Sequence, residues 1–304
     1  MHQSRGRLFS FTRNVGFTPW SFISEKITSG RAFSSHRMKG KKEEIMHVTV
    51  IMNAKGGVGK TVTTVNMAAL LAQQYKKRVL VVDADGQGDA SAFLGAPDDA
   101  SGLAELMAGY CSIYCEAIEP SNFPGVDILP GSSELYTVDL EALSRGGNVG
   151  VSCIQDLRDN VIEDDSYDVI LIDCPPGFTA SSVAALAAAD SVIIPAKLDA
   201  FSVRGMSFLM DQIKQLRKVN GRCRLDGILI TQWHNAEVIH QAETLLRNKG
   251  LPVFDARIRR TDKVDESTWV QQPLQIYSRT SSAGSDYRAF VAEWIEKGGL
   301  RNGV

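Results

Sequence analysis

The sequence predicts an α/β protein, a mostly parallel, doubly wound sheet flanked by helices. Three observations predict it. Short apolar runs alternate with helical patterns from about residue 47 to the C-terminus, and such alternation produces crossovers that keep neighbouring strands parallel. Two runs, Arg78–Asp83 and Asp168–Asp173, are apolar almost throughout rather than at every second position, which suits central strands covered on both faces. A glycine-rich turn, Lys55-Gly-Gly-Val-Gly-Lys-Thr61, separates the first run from the first helix.

Taken in order, the apolar run His47-Val-Thr-Val-Ile-Met opens a strand over 47–53, and the Lys60-Thr61 pair opens a helix over 60–74. Strand 78–83 ends in the carboxylates Asp83 and Asp85 of Asp83-Ala-Asp-Gly-Gln-Gly88. Helix 102–108, strand 126–129, and helices 133–143 and 151–163 lead to strand 168–173, which ends in Asp173-Cys-Pro-Pro-Gly177. Helix 180–188, strand 191–195, helix 203–219, strand 225–231 and helix 236–249 continue the alternation. A final helix over 283–297 carries Tyr287, Phe290, Val291 and Trp294 as a stripe that packs on the domain. Between these elements, loop 86–101 and the Pro175-Pro-Gly-Phe segment are placed as loops that sense a bound ligand, with two prolines fixing φ and Gly177 freeing it. Hydrophobic residues make up 44% and charged residues 22%, ordinary usage for one globular core over 46–304.

The turn reads as a phosphate cradle. Its glycines let backbone N–H groups converge on an anion, and the helix N-terminus adds the positive end of its dipole. Gly56, Gly57, Val58, Gly59, Lys60, Thr61 and Val62 are the candidate binding residues. Lys60 is placed to reach the β- and γ-phosphates and the Thr61 hydroxyl to hold Mg²⁺. Ala54 occupies the first glycine position of the common pattern, and a second lysine, Lys55, follows it. Ligands in open parallel sheets bind beyond the carboxyl ends of the strands, where Asp83, Asp85 and Asp173 all fall. Asp173 reads as the carboxylate that holds Mg²⁺ through water, Asp83 as a contributor to the magnesium shell, and Asp85 as the group that orients or activates an attacking water.

On these motifs, together with Ile194-Pro-Ala-Lys197, Ile258-Arg-Arg-Thr261 and Asp286-Tyr287, the chain resembles the ParA-type ATPases. They belong to the deviant-Walker-A P-loop group that also contains MinD, the nitrogenase iron protein and the iron–sulfur scaffold ATPases. The resemblance runs from about Val48 to Trp294. It implies ATP and Mg²⁺ as ligands, and an ATP-sandwich homodimer in which Lys55 crosses to the partner's phosphates and becomes catalytic alongside Lys60 and Asp85. It further implies non-specific DNA binding in the ATP state, partition of a plasmid or chromosome, and hydrolysis stimulated by a ParB-like or cargo adaptor protein. The implied location is cytoplasmic, with nucleoid association when ATP is bound. The alternative is a nucleotide-gated positioning or regulatory protein for non-DNA cargo. Adenine specificity is implied by the family alone, because Thr261 stands where many members have Asn.

Other branches of the group fit less well. The five cysteines, Cys111, Cys115, Cys153, Cys174 and Cys223, form no C-x-x-C pair, which argues against a shared cluster. Cys111 and Cys115 read as small buried residues one helical turn apart, and His234 and His240 as ordinary surface histidines. The final helix carries Glu293 and Glu296 and lacks the basic face of a membrane anchor, so no membrane contact is expected. Residues 1–45 hold nine Lys/Arg against three Asp/Glu, and the remaining 259 residues hold 24 against 32. An acidic body needs a local patch to bind DNA. Arg217 and Arg247 are the candidates, flanked by Lys214, Lys218 and Lys249; basic residues late in helices also simply complement the dipole. Residues 1–45 are expected to be a disordered basic leader or to precede the true start at Met46.

Overall fold

Strand β1 (His47–Ile51) is buried along its whole length and lies inside an eight-stranded sheet. In this computed structural model the described residues are 46–111, 114–144, 150–198, 210, 214 and 220–300. The other strands are β2 (Val79–Asp83), β3 (Glu119–Pro120), β4 (Val126–Leu129), β5 (Val169–Asp173), β6 (Ser191–Lys197), β7 (Arg224–Trp233) and β8 (Val253–Arg259). Their order is β3-β4-β2-β5-β1-β6-β7-β8. Every pairing is parallel except β3 with β4. The continuous apolar runs become β1, β2 and β5 at the centre, as their composition requires.

Helix α1 (Lys60–Tyr75) packs against β2 and β5 on one face of the sheet, joined there by α10 (Ser282–Glu296). Helices α5 (Cys153–Asp164) and α6 (Ala180–Ala188) pack on each other, and α6 also reaches β1. The expected stripe Tyr287, Phe290, Val291 and Trp294 is buried against β8 and α1. Trp294 is 1% exposed and its indole N–H donates to Asp226 Oδ2 at 2.7 Å. Trp294→Ala is therefore expected to cost about 3–5 kcal/mol, read as a lower urea midpoint; a change below 1 kcal/mol would show that α10 carries little of the core.

Three expectations need correction. Loop 86–101 contains a helix, α2 (Asp89–Leu94), bounded by left-handed glycines at Gly88 (φ 69°) and Gly95 (φ 83°) and burying Phe93 and Leu94. Six residues are too few to show a helical period. The stretch between the predicted helices 236–249 and 283–297, to which the sequence assigns no element, is not irregular: Arg257–Arg259 end β8, and α8 (Asp262–Trp269) follows. Thr261 caps α8 by accepting from Lys263 N, and Asp262 and Asp265 sit in its first turn, where they complement the dipole. Cys111 and Cys115 share no helix, since α3 (Leu103–Ala108) ends before them; Cys115 lies in a 3₁₀ turn and is exposed. Helix 203–219 lies outside the described residues apart from Met210 and Lys214, as do residues 1–45. The remaining helices are α4 (Glu134–Ser144), α7 (Glu237–Asn248) and α9 (Leu274–Tyr277). No helix among the described residues is long and apolar enough to cross a membrane.

Candidate active site

Three strand ends hold the glycine turn in place. Asn53 donates to Pro195 O at 2.7 Å while its Oδ1 accepts from Lys55 N at 3.0 Å, tying the turn to β6. From β7, Thr231 Oγ1 donates to Val58 O at 2.8 Å and Gln232 Nε2 to Gly57 O at 2.7 Å. Gly57 (φ 67°) and Gly59 (φ 85°) adopt left-handed backbone that L-residues resist. Gly59 caps α1 with no side chain accepting from the first-turn amides. A Cβ at Gly56 or Gly57 would meet no atom within 4 Å. The turn is thus a rigid cradle with open space over its backbone and an uncapped helix N-terminus, which fits a polyphosphate.

The cradle forms one wall of a cavity of about 410 Å³. Gly56, Gly57, Gly59, Lys60, Thr61, Val62 and Asp85 line it, joined by Gln87, Lys197, Thr231 and Gln232, by Ile258, Thr261 and Val264 around the β8–α8 turn, and by Tyr287 of α10. Val58 is buried beneath the turn. Lys60 is largely buried and donates to the Lys55 carbonyl at 3.3 Å. Lys55 itself is half-buried.

Below Thr61 the sheet brings two carboxylates side by side. Asp83 and Asp173 are in register at the ends of β2 and β5 and both are buried. Asp173 Oδ2 accepts from Thr61 Oγ1 at 2.6 Å and Oδ1 from Thr64 Oγ1 at 3.2 Å. Burial, and then the neighbouring Asp83, push the Asp173 carboxyl well above the usual range. Burial also pushes Asp83 up, against the opposing bonds from Ser91. Asp83 Oδ2 accepts from Ser91 N at 2.8 Å and Ser91 Oγ at 2.7 Å, and its Oδ1 accepts from Asp85 N at 3.1 Å. Asp83 therefore anchors α2 and the Asp85 turn, whereas Asp173 faces the cradle. Asp85 stands at the cavity wall and accepts from Gln87 N at 3.0 Å. Among the described residues no group of three or more His, Cys, Asp or Glu could hold a metal ion, so an ion beside Thr61 would need oxygens from a bound ligand.

Of the two proposed DNA residues, Arg247 has partners of its own. Arg247, on α7, meets Glu243 at 3.0 Å, Asp255 at 3.3 Å and the Phe254 carbonyl at 2.9 Å. Arg217 lies outside the described residues. Arg257 joins the same acidic partner, Glu243, at 3.0 Å and stacks over Trp233. His240 is exposed and bonds Asn235 at 2.8 Å.

Several cavity residues went unassigned in the sequence. Thr231 and Gln232 carried the same signal as the aspartates, polar residues closing an apolar strand. Tyr287 is deeply buried, and its hydroxyl meets Thr63 Oγ1 at 3.3 Å, tying α10 to α1. Next to it, Asp286 pairs with Arg259 at 2.7 Å, fixing the end of β8 at the cavity.

The family model described as an AAA domain matches residues 46–225. The chain is 32% identical over 248 residues to the chromosome-partitioning ATPase Soj of Thermus thermophilus, covering 80% of this chain and 93% of that protein. It is 29% identical over 257 residues to the chromosome partitioning protein ParA of Caulobacter vibrioides, covering 83% and 95%. Among solved structures it superposes, with a TM-score of 0.70 and 26% identity over 82% of this chain and 93% of the other, on cobyrinic acid a,c-diamide synthase from Mycobacterium smegmatis with a bound ATP analogue and magnesium.

Proposed function

Because the chain belongs to the ParA-type family of P-loop ATPases with a deviant Walker A turn, we propose that it binds Mg²⁺-ATP in this cavity and hydrolyses it as a dimer that switches a cargo on and off DNA. One observation carries the nucleotide reading: the uncapped, glycine-built N-terminus of α1 stands directly above the Thr61–Asp173 hydrogen bond. Lys60 neutralises the β- and γ-phosphates, and the β8–α8 turn encloses the base. Thr61, whose hydroxyl donates its hydrogen bond to Asp173, and Asp173 would hold Mg²⁺, which would supply charge neutralisation at the phosphates. Asp83 would support them from behind through its grip on the Asp85 turn. Asp85 orients the water whose oxygen attacks the γ-phosphorus as the bond to the bridging oxygen breaks, yielding ADP and phosphate. Lys55 from the second subunit stabilises the charge on the transferring group, so hydrolysis waits on assembly.

The cargo half of this reading rests on the Soj and ParA likeness and on Arg217 and Arg247 as phosphate contacts. It places the ATP-bound dimer on the nucleoid, released when a ParB-like or adaptor protein stimulates hydrolysis. Retention on non-specific duplex DNA, compared with ATP, ADP and no nucleotide across a salt series, tests it. Retention with ATP only, steeply weakened by salt and lost in Arg217→Glu with Arg247→Glu, is the expected result. The engagement of Arg247 by Glu243 and Asp255 favours a second reading, a nucleotide-gated switch for a protein cargo. Absence of retention under every nucleotide, with ATP-dependent dimers intact, would select that one.

A further inference from the structure

A second cavity, of about 280 Å³, opens at the amino ends of the strands, across the sheet's length from the nucleotide cavity. Asp127, the second residue of β4, and Tyr167, just before β5, stand in its wall. Part of the wall is apolar. Leu157 and Val161, one turn apart on α5, are buried and line it, joined by Ile118. Tyr114 adds a second phenol ring from the 3₁₀ turn.

The charges in this wall share one sign. Asp127 and Asp164 both line the cavity, and among the described lining residues there is no Lys, Arg or His. The Tyr167 hydroxyl donates to Asp127 Oδ2 at 2.8 Å, which fixes the half-buried carboxylate in place. Burial, and then Asp127 itself, push the Tyr167 phenol up, so it stays protonated and remains a donor. Asp164 continues the α5 face that carries Leu157 and Val161, and it ends the helix.

A helix C-terminus carries the negative end of the dipole and ordinarily attracts basic side chains. The last turn of α5 has none, and Glu163, Asp164 and Asp165 follow one another there. Arg78 answers Asp165 at 3.1 Å but does not line the cavity. Two carboxylates and a helix C-terminus thus converge on apolar and aromatic surface. An anion is repelled from such a wall, and a neutral apolar molecule leaves its potential unanswered. An ammonium group on a small apolar body satisfies both features, its charge toward the carboxylates and its body against Leu157, Val161 and the phenol rings.

We propose that this cavity binds a small organic ammonium ion carrying one aromatic ring or a short alkyl chain, with Asp127 and Asp164 as its counter-charges. The site stands independently of the nucleotide reading. The probe is phenethylammonium; phenethyl alcohol and hydrocinnamate, of similar size, serve as neutral and anionic controls. Cys115 lines the same cavity and is exposed, so its alkylation by N-ethylmaleimide, located by peptide mass, reports occupancy. Calorimetric titration of the full chain should give a dissociation constant in the millimolar range or below for the ammonium alone, and the bound ammonium should shield Cys115. Asp127→Asn, which still accepts from Tyr167, should weaken binding about tenfold or more. Asp164→Asn, at an exposed position, should weaken it as well, and unchanged circular dichroism should accompany both effects.

No shielding of Cys115 by the ammonium, equal binding of either control, or wild-type affinity in both variants overturns the site. Adding ATP should leave the affinity for the ammonium unchanged. Displacement of the ammonium by ATP would put it in the nucleotide cavity and overturn the proposal, while leaving the nucleotide reading in place.

Discussion

Lys60→Ala is expected to weaken ATP binding by about 10²-fold or more, because a buried ammonium at the phosphates is replaced by an apolar stub. Lys60 is 7% exposed and held by the Lys55 carbonyl, so its amine is preorganised. Lys60→Met fills much the same volume and should fail equally, which separates charge from packing. Lys55→Ala should behave differently. It should bind ATP like the wild type, since Lys55 stands at the shoulder of the cradle, yet lose turnover by about 10³-fold, the scale of a cation delivered in trans. Calorimetric titration with ATP and phosphate release read the two variants. Hydrolysis at the wild-type rate in Lys55→Ala would remove the in-trans lysine from the mechanism.

The Asp83–Asp173 pair makes the apoprotein's stability depend on pH in an unusual direction. Both carboxyls are pushed up, chiefly by burial. The folded state therefore keeps protons that the unfolded state releases above its ordinary carboxylate pKa of about 4. The stability so gained is complete below that pKa and is lost as pH rises through the folded values. The decline should approach about 1.4 kcal/mol per pH unit wherever the pair holds one extra proton. Thermal melts between pH 5 and 8 without nucleotide or Mg²⁺ should show it, and Asp173→Asn should flatten it. A profile of the same slope in Asp173→Asn would place the proton elsewhere; Asp139, also raised by burial, would be next to test. Mg²⁺-ATP should flatten the wild-type profile too, since a cation favours the ionised pair.

The centre of the fold was legible because its strands must be apolar on both faces, and a run such as Val79–Val82 has few other uses. The cradle was legible because a lysine-bearing glycine turn between strand and helix has a narrow chemistry. The nucleotide cavity's far wall was not. It is built by β8, which shows three buried positions in seven, by an eight-residue helix rich in weak helix formers, and by Tyr287 reaching Thr63 across 224 residues. No local pattern encodes such a contact. Arg247 likewise has partners that no local pattern reveals, since the strand opposite supplies Asp255 and the Phe254 carbonyl.

The strand order carries a consequence for how the chain is made. β1 pairs with β5 and β6, Val50 facing Ile172 and Val192; both neighbours are synthesised more than a hundred residues later. At roughly 5–20 residues per second, this strand leaves the ribosome with no partner for several seconds at least. Its sequence, His47-Val-Thr-Val-Ile51, is short, rich in β-branched residues and free of Asp, Glu, Lys and Arg, the composition that self-associates when left bare. Nascent chains stalled before residue 168 should therefore recruit holding chaperones, and chains stalled beyond residue 200 should release them.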